Sequence, residues 1–329
     1  MKCSTRLMVR IACASTVLFL SASPASADSG IGQFIKMRWP GNADLAANGD
    51  LYFVHNPDGI YQLYKMPKDG NQSAATKLTD FADGIGGYEL SHDGKWIAIT
   101  ASVGGSEQAD LFLMNAESGE LKALFQDPNV VFGSPLWRRD SKAFAFRAND
   151  DSASDFHIYL YDLESGDRSK VFGDKGFHYP ADFSLDGSRR VYGKYKSASH
   201  SQLFEIDLTS KEKREITPEG EELSFDPVGY TPDERSFIVN TNYKGDLSQI
   251  HAIDLRTGRV QPLLSELRDK EVDFGTLSDD RSVLAVGINE DGYRTLQLRR
   301  IGEFDQLKLP KIPKGIVGNV VFEGSDMLY

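Results

Sequence analysis

Ser91-His92-Asp93-Gly94-Lys95-Trp96-Ile97-Ala98-Ile99 reads as a turn and the strand that leaves it. Asp-Gly between apolar runs supplies the φ > 0 residues that a tight hairpin needs. Trp96 to Ile99 are aromatic or aliphatic, and no Pro interrupts them. The same pattern returns as Arg138-Arg139-Asp140-Ser141 before Ala143-Phe144-Ala145-Phe146. It recurs at Ser184-Leu185-Asp186-Gly187, Thr231-Pro232-Asp233-Glu234 and Ser278-Asp279-Asp280-Arg281. The Asp positions are 93, 140, 186, 233 and 280, so the spacings are 47, 46, 47 and 47. Weaker copies sit at Asn48-Gly49 and Glu323-Gly324.

A second motif keeps the same beat. Alternating strands end in Asn115, Asp162, Asp207 and Asp254, which are 47, 45 and 47 residues apart. Glu117-Ser118-Gly119, Glu164-Ser165-Gly166 and Arg256-Thr257-Gly258 come after three of them as turns. Two motifs in phase predict four short strands per repeat: 86–91, 95–102, 110–115 and 121–125 in the second, and 133–138, 142–148, 155–161 and 168–172 in the third. No 3.6-residue periodicity occurs beyond residue 27. Four strands in 43–47 residues is the size of one blade of a β-propeller. A small sheet cannot bury both faces alone, whereas sheets stacked radially cover one another. A linear sandwich has no reason to hold so constant a period. The predicted fold is therefore all-β, a propeller with six complete blades and a partial seventh over 44–329. Residues 28–43 are a segment that could help close the ring.

The first 27 residues read as a secretory signal peptide. Lys2, Arg6 and Arg10 precede an apolar run from Ile11 to Ala22, too short to span a bilayer. Ala25-Ser26-Ala27 is a small-x-small cleavage site, with Ala27 the last residue removed. Cys13 lies near the start of the run, in the wrong place for a lipoprotein. The expected location is the periplasm or the exterior. Both cysteines, Cys3 and Cys13, leave with the signal, so burial and not disulfides must stabilise the mature chain. Removing 27 of 329 residues leaves 302, and 34 basic residues then face 48 acidic ones, a net charge of −14. An acidic surface argues against nucleic acid, whose phosphates need a basic stripe. No later apolar run is long enough for a membrane span. The chain reaches Asp326-Met327-Leu328-Tyr329 inside an apolar strand, which predicts a longer parent protein, since domain termini usually lie at surface linkers.

The Ser-x-Asp-Gly-Lys-x-Ile-Ala-Ile repeat, with Leu111–Asn115 and Ile158–Asp162, resembles the non-catalytic propeller of exported prolyl oligopeptidase-family (dipeptidyl-peptidase-like) serine peptidases. It is also similar to TolB-like and WD-like periplasmic repeats, although a TolB protein would need an N-terminal α/β domain for which there is no room. The peptidase resemblance implies a C-terminal α/β-hydrolase domain, absent from this chain, that carries a Gly-x-Ser-x-Gly nucleophile elbow. Gly105-Ser106-Glu107 and Gly133-Ser134-Pro135 lack the second Gly, so no catalytic residue is assigned. The implied role is to cover and filter access to that active site. The alternatives are a stand-alone TolB-like scaffold for protein partners and a metal-dependent propeller enzyme such as a lactonase.

Residues leading into each first strand should lie near the central channel: Tyr88, Ser134, His178, Tyr179, Asp226 and Asp273. They could line a passage for a peptide substrate or a protein partner, although a lone His178 is more often structural. The turn residues Asp93, Gly94, Asp140, Asp186, Gly187, Asp233 and Asp280 are structural. Glu221-Glu222 resembles the paired acids with which some dipeptidyl-peptidase relatives hold an amino terminus, but it sits in a polar connection that reads as a solvated loop. The loop 149–155 lacks the Gly and final Glu of a calcium site. No His pair has metal-ligand spacing and no phosphate loop is present, so neither metal nor cofactor is expected. Trp96 and Trp137 read as core between blades.

Overall fold

A computed structural model describes residues 38, 40–220, 222–318, 320–324 and 326–328. The predicted signal peptide, its cleavage site at Ala27 and the residues from there to 37 lie outside these. Blade 1 contains β1 (Gly41–Leu45), β2 (Leu51–His55), β3 (Gln62–Met66) and β4 (Thr76–Lys77). Blade 2 contains β5 (Gly87–Leu90), β6 (Trp96–Ser102), β7 (Ala109–Asn115) and β8 (Leu121–Phe125). Blade 3 contains β9 (Phe132–Trp137), β10 (Ala143–Ala148), β11 (His157–Asp162) and β12 (Arg168–Phe172). Blade 4 contains β13 (Phe177–Phe183), β14 (Arg189–Ser197), β15 (His200–Asp207) and β16 (Lys213–Glu215). Blade 5 contains β17 (Phe225–Tyr230), β18 (Ser236–Thr241), β19 (Gln249–Asp254) and β20 (Val260–Pro262). Blade 6 contains β21 (Val272–Leu277), β22 (Val283–Glu290), β23 (Tyr293–Arg300) and β24 (Gln306–Leu307). A seventh sheet holds β25 (Val321–Glu323) and β26 (Asp326–Leu328), which lie beside β1. No α-helix occurs among the described residues, and no helix there is long and apolar enough to cross a membrane.

Each complete blade is an antiparallel meander in sequence order. The turn predicted from the repeat joins its first two strands every time. Its fourth residue has positive φ whatever its identity: Gly49 86°, Gly94 69°, Ser141 58°, Gly187 71°, Glu234 53°, Arg281 57° and Gly324 56°. Side chains close the turn. In blade 4, the Ser184 hydroxyl donates to Asp186 Oδ1 at 2.7 Å, and the same oxygen accepts the Ser188 amide at 2.9 Å. These bonds favour the carboxylate and pull the Asp186 pKa down to about 2.

The blades form a ring because no sheet buries itself. Each apolar cluster spans two neighbours. Ala98, Leu111 and Leu113 of blade 2 pack on Trp137, Phe144, Phe146 and Tyr161 of blade 3, with Trp96 at the margin. Val191 and Leu203 of blade 4 meet Phe225, Phe237 and Val239 of blade 5, and Ala285 and Leu298 of blade 6 meet Val320 and Phe322. At about 25 cal/mol per Å² of apolar surface, such shared burial is what makes the small sheets stable. The innermost strands β1, β9, β13, β17 and β21 each carry a bulge, which bends them around the axis.

Candidate functional site

The meander gives the ring two unlike faces. Turns between first and second strands, and between third and fourth strands, all lie on one face, the turn face. Loops between second and third strands, and the connections from blade to blade, lie on the other, the loop face.

On the turn face a contact crosses the axis. Arg139 of blade 3 donates through Nη1 to the Asp279 carbonyl of blade 6 at 2.7 Å, and lies 3.4 Å from Asp279 Oδ1. His92 Nδ1 of blade 2 is 3.6 Å from that oxygen, and the Gly324 amide donates to Asp279 Oδ2 at 3.3 Å. Groups from four blades thus converge on Asp279, and the contact bridges this end of the axis. Two more acids sit behind it on innermost strands. Burial pushes Asp44 up to about 6, opposed by the Leu45 amide, which donates to Oδ1 at 2.9 Å. Burial, and then the charge of Asp44, push Glu89 up to about 8. Both hold their protons more tightly than a free carboxyl.

The loop face is open and partly apolar. Among the eight most exposed large hydrophobic residues described, Ile60, Tyr61, Val103, Tyr195, Leu247 and Ile316 are here, Val103 at 64% and Ile316 at 70% exposure. Only Leu121 and Leu185 are on the turn face.

The six residues expected near the channel do not form one cluster. The Tyr88 hydroxyl lies 2.6 Å from the Asn42 carbonyl and 3.0 Å from that of Tyr52, so it joins blades 1 and 2. Ser134 lies in the β9 bulge with φ of 50°. His178 is fully buried between Phe172 and Tyr192, with Nδ1 2.8 Å from the Phe156 carbonyl. Burial lowers its pKa, so the ring is neutral and donates that bond. Tyr179 and the exposed Asp226 come together at the blade 4–5 boundary, where burial, and then Asp226, push the phenol up to about 12. Asp273 accepts Arg294 Nε at 2.5 Å. Glu221 lies outside the described residues, and Glu222 is exposed.

In the acidic loop, Asp150, Asp151 and His157 bring one ligand atom each within 4.8 Å of one another. Cations already occupy the carboxylates: Arg168 is 2.7 Å from Asp150, and Lys170 pairs with Asp151. The group is an ion-pair cluster at the loop face.

Sequence reasoning missed Arg139, Asp279 and Arg147. The first two occupy the variable position of the repeat, which reads His92, Arg139, Leu185, Pro232 and Asp279; opposite charges at one structural position were the available signal. Arg147 stacks 4.5 Å from the Phe177 ring near the loop end, and desolvation lowers its pKa. It is the lone cation in the apolar strand β10.

Comparison with known proteins agrees with this architecture. Residues 69–317 match the family described as prolyl oligopeptidase, N-terminal beta-propeller domain. Dipeptidyl aminopeptidase BIII of Pseudoxanthomonas mexicana is 25% identical over 262 residues, 77% of this chain and 37% of that protein. A solved prolyl endopeptidase superposes with a TM-score of 0.69 at 16% identity, over 87% of this chain and 45% of its own. TolB from Acinetobacter baumannii superposes at 0.52 and 19% identity, over 80% of this chain and 66% of its own. The chain spans less than half the length of both of these peptidases.

Proposed function

Because this chain belongs to the prolyl oligopeptidase family, through that family's N-terminal β-propeller domain, we propose that it covers and filters access to a serine-peptidase active site carried elsewhere in its parent protein. The observation that carries this reading is the asymmetry of the ring. Its turn end is tied across the axis by Arg139 and Asp279, while its loop face offers Val103, Tyr195, Leu247 and Ile316 to a neighbour. The loop face therefore meets the hydrolase domain, and the tied end faces solvent. With its turn end bridged and its loop face covered, the ring leaves only narrow routes to the active site, which admit extended or small peptides. The signal-peptide pattern ending at Ala27 supports export, to the periplasm or the exterior, and the first residue of the mature protein is then Asp28.

The test uses the full-length protein with a chromogenic dipeptide, a peptide of about 30 residues and a folded protein of the same cleavable sequence. Hydrolysis of the dipeptide with the folded protein spared is the expected result. Cleavage of the folded protein at a comparable rate would remove the filtering role, and no hydrolysis together with no labelling by a fluorophosphonate would remove the peptidase. In that last case the likeness to TolB favours the second reading, a scaffold for a protein partner.

A further inference from the structure

A cleft of about 610 Å³ opens on the turn face between blades 4 and 5, away from the axis. Arg189, Arg214, Arg235 and Arg256 line it, with Glu234 and Asp254. In a chain where acids outnumber cations 48 to 37, four arginines in one cleft are out of proportion.

Two of them are fixed from below. Buried Glu205 accepts Arg189 Nη1 at 2.9 Å, Arg214 Nε at 3.0 Å and the Tyr230 hydroxyl at 3.0 Å. Glu234 accepts Arg189 Nη2 at 2.7 Å and Nη1 of the fully buried Arg281 at 3.1 Å. Arg214 also donates to the Leu255 carbonyl. Arg281 offsets the charge of Glu234 from beneath, and the arginines cannot fold away from the cleft. Asp254 accepts the amides of Arg256 and Thr257 at 3.0 and 2.7 Å through Oδ1, and its charge also faces Arg256.

The other two arginines stand at the rim. Arg235 is 3.8 Å from Asp233, too far for a hydrogen bond, and both side chains are well exposed. Among the described residues the Arg256 guanidinium makes no hydrogen bond or ion pair. A buried salt-bridge network explains Arg189 and Arg214; it does not explain two further guanidinium groups over the same cleft. Guanidinium forks match the planar edge of a carboxylate or phosphate, and Arg189 and Arg214, held in place by Glu205 and Glu234, lose little freedom on binding.

We propose that this cleft is an oxyanion site, which takes a carboxylate or phosphoryl group. The group belongs either to a free small molecule or to an acidic peptide segment of a partner. The two sources share one recognition chemistry and separate in the test. Full-length protein is titrated by calorimetry at low ionic strength with inorganic phosphate, and separately with a blocked tri-glutamate peptide. At least one probe binds at a single site, and R235A/R256A weakens it about tenfold or more while the melting curve stays unchanged, because both side chains are exposed. Binding of the peptide alone assigns an acidic partner segment; binding of phosphate assigns a free anion. If neither probe binds, or the double variant binds both as tightly as the parent, the site does not exist. R235K/R256K keeps the charge and loses the fork, and full affinity in that variant would likewise overturn a guanidinium cradle.

Discussion

The fourth position of the repeated turn shows how a single residue can serve two blades. Gly is the undemanding choice for a positive φ, yet Ser141, Glu234 and Arg281 adopt it at 58°, 53° and 57°. A non-Gly residue there costs on the order of 1 kcal/mol. Each reaches the turn of the blade before it. The Ser141 hydroxyl accepts the Asp93 amide at 3.0 Å, Glu234 accepts the Leu185 amide at 2.5 Å, and Arg281 pairs with Glu234 and Asp182. Glu234→Ala should therefore destabilise the propeller by about 2–4 kcal/mol, because buried Arg281 and half-buried Arg189 lose a partner. Glu234→Gly should recover about 0.5–1 kcal/mol of that by relieving the backbone. Urea midpoints of the three proteins check the order, and Gly proving as stable as Glu would refute the stapling role. The turn itself was legible in the sequence, since Asp-Gly between apolar runs has one common use. The stapling was not, because its partners lie some 45 to 99 residues away.

Glu89 makes a prediction of opposite sign to ordinary acid denaturation. Its folded pKa, about 8, lies above the ordinary 4.5, so the folded state binds the extra proton between those values. The stability linked to this group is complete below about pH 4.5 and is lost as pH rises through 8. Asp44, raised to about 6, adds to the same slope at lower pH. Glu89→Gln should leave stability unchanged near pH 4.5 and raise it by roughly 2–4 kcal/mol at pH 8 to 9. Parallel stability curves for the two proteins across that range would show that Glu89 titrates normally.

Within single blades, two cross-strand pairs set the shape of the inner sheet. Tyr179 of β13 faces Gly193 of β14, and Phe274 of β21 faces Gly287 of β22. A Cβ on either glycine would overlap the aromatic ring laid across it. The ring covers backbone that no side chain shields, a known device for glycine in sheets. Gly287→Ala should cost about 1–3 kcal/mol by overpacking, and the double change Gly287→Ala with Phe274→Leu should recover most of it. Additive losses measured by denaturation would contradict the pairing. At this scale the sequence was readable for the second and third strands of each repeat, whose apolar alternation is strong. The fourth strands were faint because they are short and exposed, as at Thr76–Lys77 and Gln306–Leu307. The inner bulges left no mark, since one extra residue in an irregular strand changes no pattern.

Across the whole molecule, the 47-residue beat reports wedges that each need a neighbour. That much came from periodicity, because a blade with two apolar faces has few other ways to be buried. The candidate site was legible only in part. The first strands do surround the axis, but Tyr88 and His178 were absorbed into contacts between blades. The tie across the axis depends on Arg139 and Asp279, 140 residues apart, which no local pattern links. Residues 28–329 purified alone should remain unlabelled by a fluorophosphonate, since no Gly-x-Ser-x-Gly elbow occurs in the sequence. Stoichiometric labelling would place a nucleophile in the propeller itself.

Covalent footprinting of the full-length protein against residues 28–329 alone tests most directly which face of the ring is covered by the proposed hydrolase domain. Val103, Tyr195, Leu247 and Ile316 should lose reactivity in the full-length protein, while Leu185 and Lys95 on the turn face keep theirs. Protection of the turn face with the loop face left reactive would contradict the orientation and the filtering role built on it.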